Sequence, residues 1–424
     1  MEKELITENG VRIYSYKNPA LHGFYISLFV KAGALYEAEN ESGITHFLEH
    51  AVIRNINKIY GMSLYSELDK RGLEFNASTF SEMVQFYICG ASSEFNFAGR
   101  VISGALDSLI LSRDEIDAER KRIKAEIRES DDKNSLASFT SKIVFSGTPL
   151  SRSIVGTNKS VDGITLNKLE KYRKSAFSRE NIFFYITGSF TDEELEAFAK
   201  IIGEKSVDSA LCTRDNVALV PLDFGKRPGD VYIKNADFTM ARFTFDIDMT
   251  KTSVAEIDLL YDILLSGYNS KLFVELSEKR GLCYDISGGT ERYKNIGTFQ
   301  FSFELKQKDL SSAIGIIVDI LLELKTKVLS HDECMKAGYV NNAYMLYDDF
   351  RELNFTFSYD NHIMNEKYTS IQDRMERYKN ITPERIMDVA ESIFTFENLT
   401  FTMKGDKKRT DKEAVLKELK RLSL

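Results

Sequence analysis

The sequence predicts an α+β fold that consists of two similar domains in tandem. A chain of 424 residues, 43% of them apolar, is long enough to build two cores. Residues 164–188 resemble residues 381–405 at a constant offset of 217. Within each half, segments of alternating polarity come before segments with helical spacing. This order favours a sheet with helices packed on one face over a parallel doubly wound sheet.

The repeat is clearest in a helix that is followed by a strand. Thr165 and Thr382 are both candidate N-caps, and Pro383 suits the first position of a helix. In each copy a Glu-Asn pair follows the helix and is followed by a segment that predicts a strand, at 182–188 and at 399–405. The long period indicates one fold present twice rather than a short-period solenoid.

The other elements follow in order along the chain. Further strands are predicted at 11–16, 24–30, 239–249 and 297–303, and amphipathic helices at 93–110 and 310–325. The stretch 212–230 is rich in proline and glycine and therefore indicates a boundary. We predict a first domain at 1–212, a linker at 213–230 and a second domain at 231–424.

The composition argues against several classes of protein. A net charge of −8 gives no basic footprint for nucleic acid or for an anionic membrane. No apolar run approaches the roughly 20 residues of a membrane span, and the N-terminus lacks the apolar segment of a signal peptide. The cysteines form no Cys-x-x-Cys pair, which predicts reduced thiols and a cytoplasmic location. These cysteines are Cys89, Cys212, Cys283 and Cys334.

The strongest functional signal is the pentapeptide His46-Phe47-Leu48-Glu49-His50. Ser42 precedes it as a candidate N-cap. On a helix, one face would carry the apolar residues Ile44, Phe47, Leu48 and Ala51. His46, Glu49 and His50 fall on the other face, with the two imidazoles within roughly 40° of each other. Neutral imidazole is the commonest metal ligand, so the pattern indicates a divalent metal; the alternative is a solvated helix face.

Two histidines need at least one further ligand, and a second helix offers candidates. Residues 112–132 predict a long charged helix with Ser112 as its N-cap and acids in the first turn. Its apolar stripe consists of Ile116, Ile123 and Ile127. Glu119 and Glu126 are seven residues apart and therefore stack on one flank of that stripe. Most acids on such a helix are solvated charges.

These residues resemble the pitrilysin, insulinase and mitochondrial processing peptidase superfamily of inverted-motif (HxxEH) zinc peptidases. The chain is similar to a short, bacterial-type processing-peptidase-like subunit. Glu126 lies 76 residues after the second histidine, where the family has its third ligand, and Glu119 occupies the companion position. Residues 72–79 look like the family's Gly-x-x-x-Asn-Ala-x-Thr strand. Residues 279–284 look like its Lys-Arg-Gly-Leu-Ala-Tyr stretch.

The resemblance implies a zinc site and a role for each of its residues. His46, His50 and Glu126 would hold Zn²⁺, and Glu49 would be the general base of a peptide-cleaving enzyme. Glu119 would orient a ligand histidine, although a plain salt bridge to Arg122 or Arg120 explains it nearly as well.

The family also implies the fold and the way in which a peptide binds. Each of its two domains is a mostly antiparallel sheet with helices packed on it. An extended peptide substrate pairs with the strand that carries Asn76 and Ala77, which would be substrate-binding residues together with Tyr284.

The sequence does not name the substrate. The candidates are general peptide turnover, leader removal and maturation of a modified peptide.

The second half departs from the first and from the family. The region around 261–265, which matches the histidine helix, has no histidine, so the duplicated fold would carry one metal site. The family has an arginine seven residues before the tyrosine, but Ser277 stands there, and Arg280 is a candidate substitute. Family members of this length close in pairs around a chamber. The missing arginine favours a heterodimer with a zinc-free homologous subunit over a homodimer.

Two other functions compete with a peptidase. A non-catalytic scaffold subunit is the first, but family members that became scaffolds typically lose zinc ligands, and all of them are present here. The second is a metal-dependent hydrolase that acts on phosphoesters. The sequence has no glycine-rich phosphate loop and no further His/Asp cluster, which makes this second alternative the weaker one.

Overall fold

The computed structural model describes residues 2–130, 135–207, 224, 229–330, 336–364 and 370–423. The strands are β1 Lys3–Ile6, β2 Arg12–Lys17, β3 Gly23–Val30, β4 Glu74–Thr79, β5 Val84–Ala91, β6 Ile182–Gly188, β7 Val231–Asn235, β8 Thr239–Asp248, β9 Ile286–Arg292, β10 Ile296–Leu305 and β11 Leu399–Gly405. The helices are α1 Ile44–Ile59, α2 Leu64–Arg71, α3 Phe95–Ser103, α4 Arg113–Glu129, α5 Leu136–Val144, α6 Asn158–Asp162, α7 Leu166–Ala176, α8 Asp192–Gly203, α9 Val254–Leu265, α10 Leu310–Thr326, α11 Lys336–Asp348, α12 Phe350–Phe357, α13 Ile371–Asn380, α14 Pro383–Ile393 and α15 Lys412–Leu419. None of these helices is long and apolar enough to span a bilayer.

The strands form two mixed sheets. The first has the order β1-β2-β6-β3-β5-β4, and the second has the order β7-β11-β8-β10-β9. Neighbouring strands are antiparallel except for β2 with β6 and β7 with β11, which are parallel in the part of the chain described. The α+β fold class, with two similar and mostly antiparallel sheets, is therefore confirmed.

Each sheet belongs to a compact unit that takes segments from both halves of the sequence. The first unit comprises Met1–Ser130, Arg152–Val220 and Leu346–Tyr368, and the second comprises Asp131–Ser151, Pro221–Met345 and Thr369–Leu424. The helix α5 thus lies in the second unit although it is encoded in the first half, and α12 shows the reverse. The predicted linker lies mostly outside the described residues, and the domain boundaries stay a prediction.

In the first unit, the two faces of the sheet carry different residues. Alternate residues of β3 are buried in the apolar core beneath α1 and α3, among them Phe24, Ile26 and Leu28. Ser27 points to the opposite face and donates its hydroxyl to Asn354 Oδ1 of α12 at 2.8 Å. Asn354 is fully buried and donates in turn to the carbonyl oxygen of Tyr185 at 2.9 Å. The sequence predicted helices on one face, and α12 adds a helix on the other.

The second unit has the same arrangement. Phenylalanines from neighbouring strands stack on the core face, with the rings of Phe243 and Phe301 4.9 Å apart. The helix α5 packs on β11, where the hydroxyls of Thr140 and Thr402 are 2.6 Å apart. Each sheet therefore has apolar packing on one face and a polar contact with one helix on the other.

The repeat predicted from the sequence is present in the structure. The strands at 182–188 and 399–405 have the predicted bounds. The preceding helices begin after Thr165 and Thr382, whose hydroxyls accept the backbone N–H of the third helical residue. The helix predicted at 93–110 is shorter than expected. The α-helix ends at Ser103, where Gly104 begins a 3₁₀ turn, since glycine is a weak helix former.

Candidate metal centre

The helix α1 that carries the two histidines is capped by an acid instead of the predicted serine. The N-cap residue is Gly43, in the left-handed region at φ 90°, so the prediction of Ser42 as the cap is wrong. The carboxylate of Glu37 accepts the backbone N–H groups of Gly43 and Thr45 at 2.8 and 2.9 Å. Burial raises the pKa of Glu37, and these two hydrogen bonds partly offset that effect. Glu37 therefore fills the role expected of the serine.

Helical spacing places the polar triplet on one side of α1, as predicted. The apolar residues Ile44, Phe47, Leu48 and Ala51 are buried in the core. His46 and Glu49 are only 7% and 8% exposed, and the side chain of His50 is 13% exposed. The solvated helix face considered above does not describe these residues.

The helix α4 brings a third candidate ligand to the two histidines. It begins after Ser112, which forms a capping box with Glu115. Glu126 on this helix lies with Oε1 3.5 Å from His46 Nε2 and with Oε2 3.4 Å from His50 Nε2. One ligand atom from each of the three side chains can be chosen so that all lie within 4.8 Å of one another. Among the described residues, this is the one such group of His, Cys, Asp or Glu.

The three side chains fit a zinc ion. Zinc takes imidazole nitrogen and carboxylate oxygen at about 2.0–2.2 Å, so neighbouring ligand atoms of a tetrahedral site lie about 3.4 Å apart. The distance from His46 Nε2 to Glu126 Oε1 and that from His50 Nε2 to Glu126 Oε2 are each close to that value. Burial, aided by the neighbouring His50, lowers the pKa of His46 to about 3, so its imidazole is neutral at neutral pH. A neutral imidazole is the form that binds metal.

Glu119 contacts a ligand histidine and an arginine at the same time. Its Oε2 lies 3.3 Å from His50 Nδ1, and its Oε1 accepts from Arg54 Nη1 at 2.7 Å. Burial alone would raise the pKa of Glu119, but hydrogen bonds from His50 and Arg54 outweigh it and lower the pKa. Of the two predicted salt-bridge partners, Arg122 lies 3.9 Å away. Arg120 instead donates to the carbonyl oxygen of Val161.

Replacing Glu119 with glutamine is expected to weaken zinc binding by about 10- to 100-fold, the usual cost of losing a partner of a ligand histidine. The amide keeps the shape of the carboxylate but removes the charge that fixes the ring of His50. Competition with a chromogenic chelator measures the affinity. The same substitution at Glu129, whose side chain is 70% exposed on the same helix, is the control. Equal zinc affinities of Glu119→Gln and Glu129→Gln would show that Glu119 only forms a structural ion pair with Arg54.

The carboxylate of Glu49 is held by a threonine from the sheet. Thr79, at the end of β4, donates its hydroxyl to Glu49 Oε2 at 2.6 Å. Burial raises the pKa of Glu49, an effect that Thr79 and His50 oppose. Thr79 stood in the motif that carried the family resemblance, but no role was predicted for it. The structure shows that it orients the side chain predicted to be the base.

The strand β4 lies at the edge of the first sheet, as expected for the strand that carries Asn76 and Ala77. The side-chain oxygen of Asn76 accepts the N–H of Ala77 at 2.9 Å. Ala77 is 8% exposed and packs in the core. A role for these two residues in binding substrate stays a prediction.

Tyr284, Arg280 and Ser277 lie in the second unit, at and after a π-helical turn at Phe273–Glu278. Tyr284 is 94% exposed. The guanidinium of Arg280 is engaged by the side chain and by the carbonyl oxygen of Glu275. The hydroxyl of Ser277 donates to the carbonyl oxygen of Tyr284 at 3.4 Å.

The cysteines that the structure describes are free thiols. Cys89 and Cys283 are buried, and burial raises the pKa of each to about 11, so both are protonated at neutral pH. Cys212 and Cys334 lie outside the described residues.

Two family models match the sequence in succession. Residues 12–158 match "Insulinase (Peptidase family M16)", and residues 163–337 match "Peptidase M16 inactive domain". The first match contains all three candidate zinc ligands and Glu49. Among the described residues, the second match contains no group of side chains like that of His46, His50 and Glu126.

Similar proteins and structures extend the match to nearly the whole chain. An "Uncharacterized zinc protease" from Rickettsia bellii is 25% identical over 403 residues, 92% of this chain and 94% of that protein. The "Uncharacterized zinc protease YmxG" from Bacillus subtilis is 18% identical over 93% of this chain and 96% of its own length. The fold is similar to that of a protease from Helicobacter pylori, with a TM-score of 0.81, 17% identity, and coverage of 96% of this chain and 99% of that one. The chain therefore belongs to the insulinase family of peptidases, M16.

Proposed function

We propose that this protein is a zinc-dependent endopeptidase that cleaves unfolded peptides or leader segments. The observation that carries the proposal is the convergence of His46, His50 and Glu126, with the carboxylate of Glu49 on the same helix turn. Three protein ligands leave one position of a four-coordinate zinc for water, which is typical of catalytic rather than structural sites.

The residues around the site would divide the chemistry among them. Bound zinc supplies a Lewis acid and lowers the pKa of a coordinated water towards about 7. Glu49 would accept a proton from the attacking water and pass it to the leaving amine. Thr79 would hold the Glu49 carboxylate in place, and Glu119 would hold the ring of His50.

The substrate we propose is a peptide in extended conformation. The edge strand β4 ends at Thr79 and thus leads to the carboxylate of Glu49. A peptide that added to this edge would gain backbone hydrogen bonds without regard to its sequence. Asn76 and Ala77 would contact the backbone of the peptide.

We also propose that a second subunit completes the site inside a chamber. Ser277 occupies the position of the family's substrate-binding arginine, and Arg280 is already engaged by Glu275. Tyr284 is almost entirely exposed and so is free to meet another molecule. These features favour a heterodimer with a zinc-free homologous subunit over a homodimer. We propose the cytoplasm as its location.

Metal analysis and chelation test the proposed function. The purified chain is expected to hold one zinc. Together with its partner subunit it is expected to lose peptide hydrolysis when a chelator removes the metal, and to regain it when zinc is returned. Phosphoester substrates should not be cleaved. A chain that binds no metal would support the scaffold alternative, and hydrolysis that survives chelation would contradict a metallopeptidase.

A further inference from the structure

The turn between β4 and β5 sits directly after the threonine that holds Glu49. It comprises residues 80–83 and is closed by a hydrogen bond from Phe80 N to Met83 O at 2.8 Å. Leu35 N donates to Ser81 O at 2.7 Å, so the turn also pairs with the segment that leads to α1. A side chain at Gly33 would meet the Ser81 oxygen at 2.2 Å, which explains the glycine there.

The same turn is also contacted by α12 and by the segment that follows it. Tyr359 donates its hydroxyl to Glu82 Oε2 at 2.5 Å, and Glu82 is only 8% exposed. The rings of Phe355 and Tyr359 stack in parallel with centroids 6.1 Å apart. The ring of Phe355 also packs against Phe80, at 5.6 Å. Phe355 and Tyr359, from late in the sequence, thus contact the turn at Phe80 and at Glu82.

A π-helical turn at Ser358–Ile363 carries Tyr359. Such turns insert a wide step into a helix and are frequent at functional sites. The hydrogen bond from Tyr359 is part-buried and its acceptor Glu82 is buried, so its loss would take one partner from a buried carboxylate. These contacts therefore restrain the turn. Displacement of Glu82 would move the end of β4 at Thr79, which lies three residues away.

We propose that Tyr359 is a positioning residue for Glu49, acting through Glu82, the turn and Thr79. This inference rests on the proposed function, because it concerns the group that would take the proton. Tyr359 is encoded more than 300 residues after Glu49. It would make the geometry of the base depend on the helix that the second half contributes to the first unit.

The test uses Tyr359→Phe, which removes one oxygen and keeps the stacked ring. It is expected to lower kcat between about 10- and 100-fold, because small misplacements of a catalytic group have effects of that size. The zinc content should not change, and KM should stay within about twofold. Tyr378→Phe is the matched control. The hydroxyl of Tyr378 likewise donates to a carboxylate, that of Asp258 in the second unit, at 2.9 Å in a part-buried contact.

A kcat for Tyr359→Phe equal to that of the Tyr378→Phe control would overturn the proposal. Both variants lose a part-buried hydroxyl–carboxylate hydrogen bond, so a general loss of stability would affect them alike. Phe355→Leu gives a second test if Tyr359→Phe fails to fold. It should lower kcat with zinc retained, and a kcat equal to the control would again overturn the proposal. Failure of the proposed function is a separate result, because wild-type protein would then cleave no peptide.

Discussion

Glu49→Gln is expected to keep the zinc and lower kcat for peptide hydrolysis by about 10²- to 10⁴-fold, the usual contribution of a general base. The amide oxygen can still accept from Thr79, and all three candidate ligands remain, so the site should keep its shape. What is lost is the basic carboxylate that would take the proton from water, because an amide oxygen accepts a hydrogen bond but is too weak a base for that step.

Glutamine at Glu39 is the control for this variant. Glu39 is exposed in a short 3₁₀ turn before α1 and should tolerate the change without effect. Steady-state hydrolysis of a fluorescence-quenched peptide measures kcat, and metal analysis of the same samples measures zinc. Retention of full activity by Glu49→Gln would remove Glu49 from the mechanism.

Glu126→Gln is expected to weaken zinc binding by more than about 100-fold, beyond the range found for outer partners of the ligands. Glu126 faces both imidazoles, and its charge is the one negative charge among the three ligands. Its side chain is 44% exposed, so the substitution should not disturb the core. Peptide hydrolysis should be lost at zinc concentrations that saturate the wild type.

The control is again Glu129→Gln, since Glu129 lies three residues further along α4 and is paired with Arg128 on the surface. Titration with zinc in the presence of a competing chelator gives both affinities. An affinity of Glu126→Gln equal to that of the control would show that the metal has another third ligand. The pair of experiments therefore separates loss of metal from loss of the base, because Glu49→Gln should still bind zinc.

Local signals in the sequence predicted most of the fold. Thr165 and Thr382 cap helices because a hydroxyl accepts a free backbone N–H within the same turn, so their effect is visible in a few letters. The placement of α12 was not predicted. A helix carries its own period, but the sheet on which it packs depends on contacts such as Ser27 with Asn354, which are more than 300 residues apart.

At the metal site, too, local sequence signals predicted some features and not others. Helical spacing predicted the common face of His46, Glu49 and His50, whereas Glu126 depended on the family resemblance. The contacts of Glu37 and Thr79 with α1 were missed. An acid in a loop and a threonine in a strand have many ordinary uses, and only the folded chain shows that both reach the same helix.

The reciprocal placement of α5 and α12 has a consequence for fragments of this protein. A cut between the repeats would not release two autonomous domains, because each product would carry the helix that covers the other product's sheet. Each product would leave a polar sheet face bare, with groups such as Ser27 and Thr402 exposed to water. A polypeptide with one repeat alone could cover this polar face only by domain swapping. Its own helix would then pack on the sheet of a second copy, and the product would be an intertwined dimer.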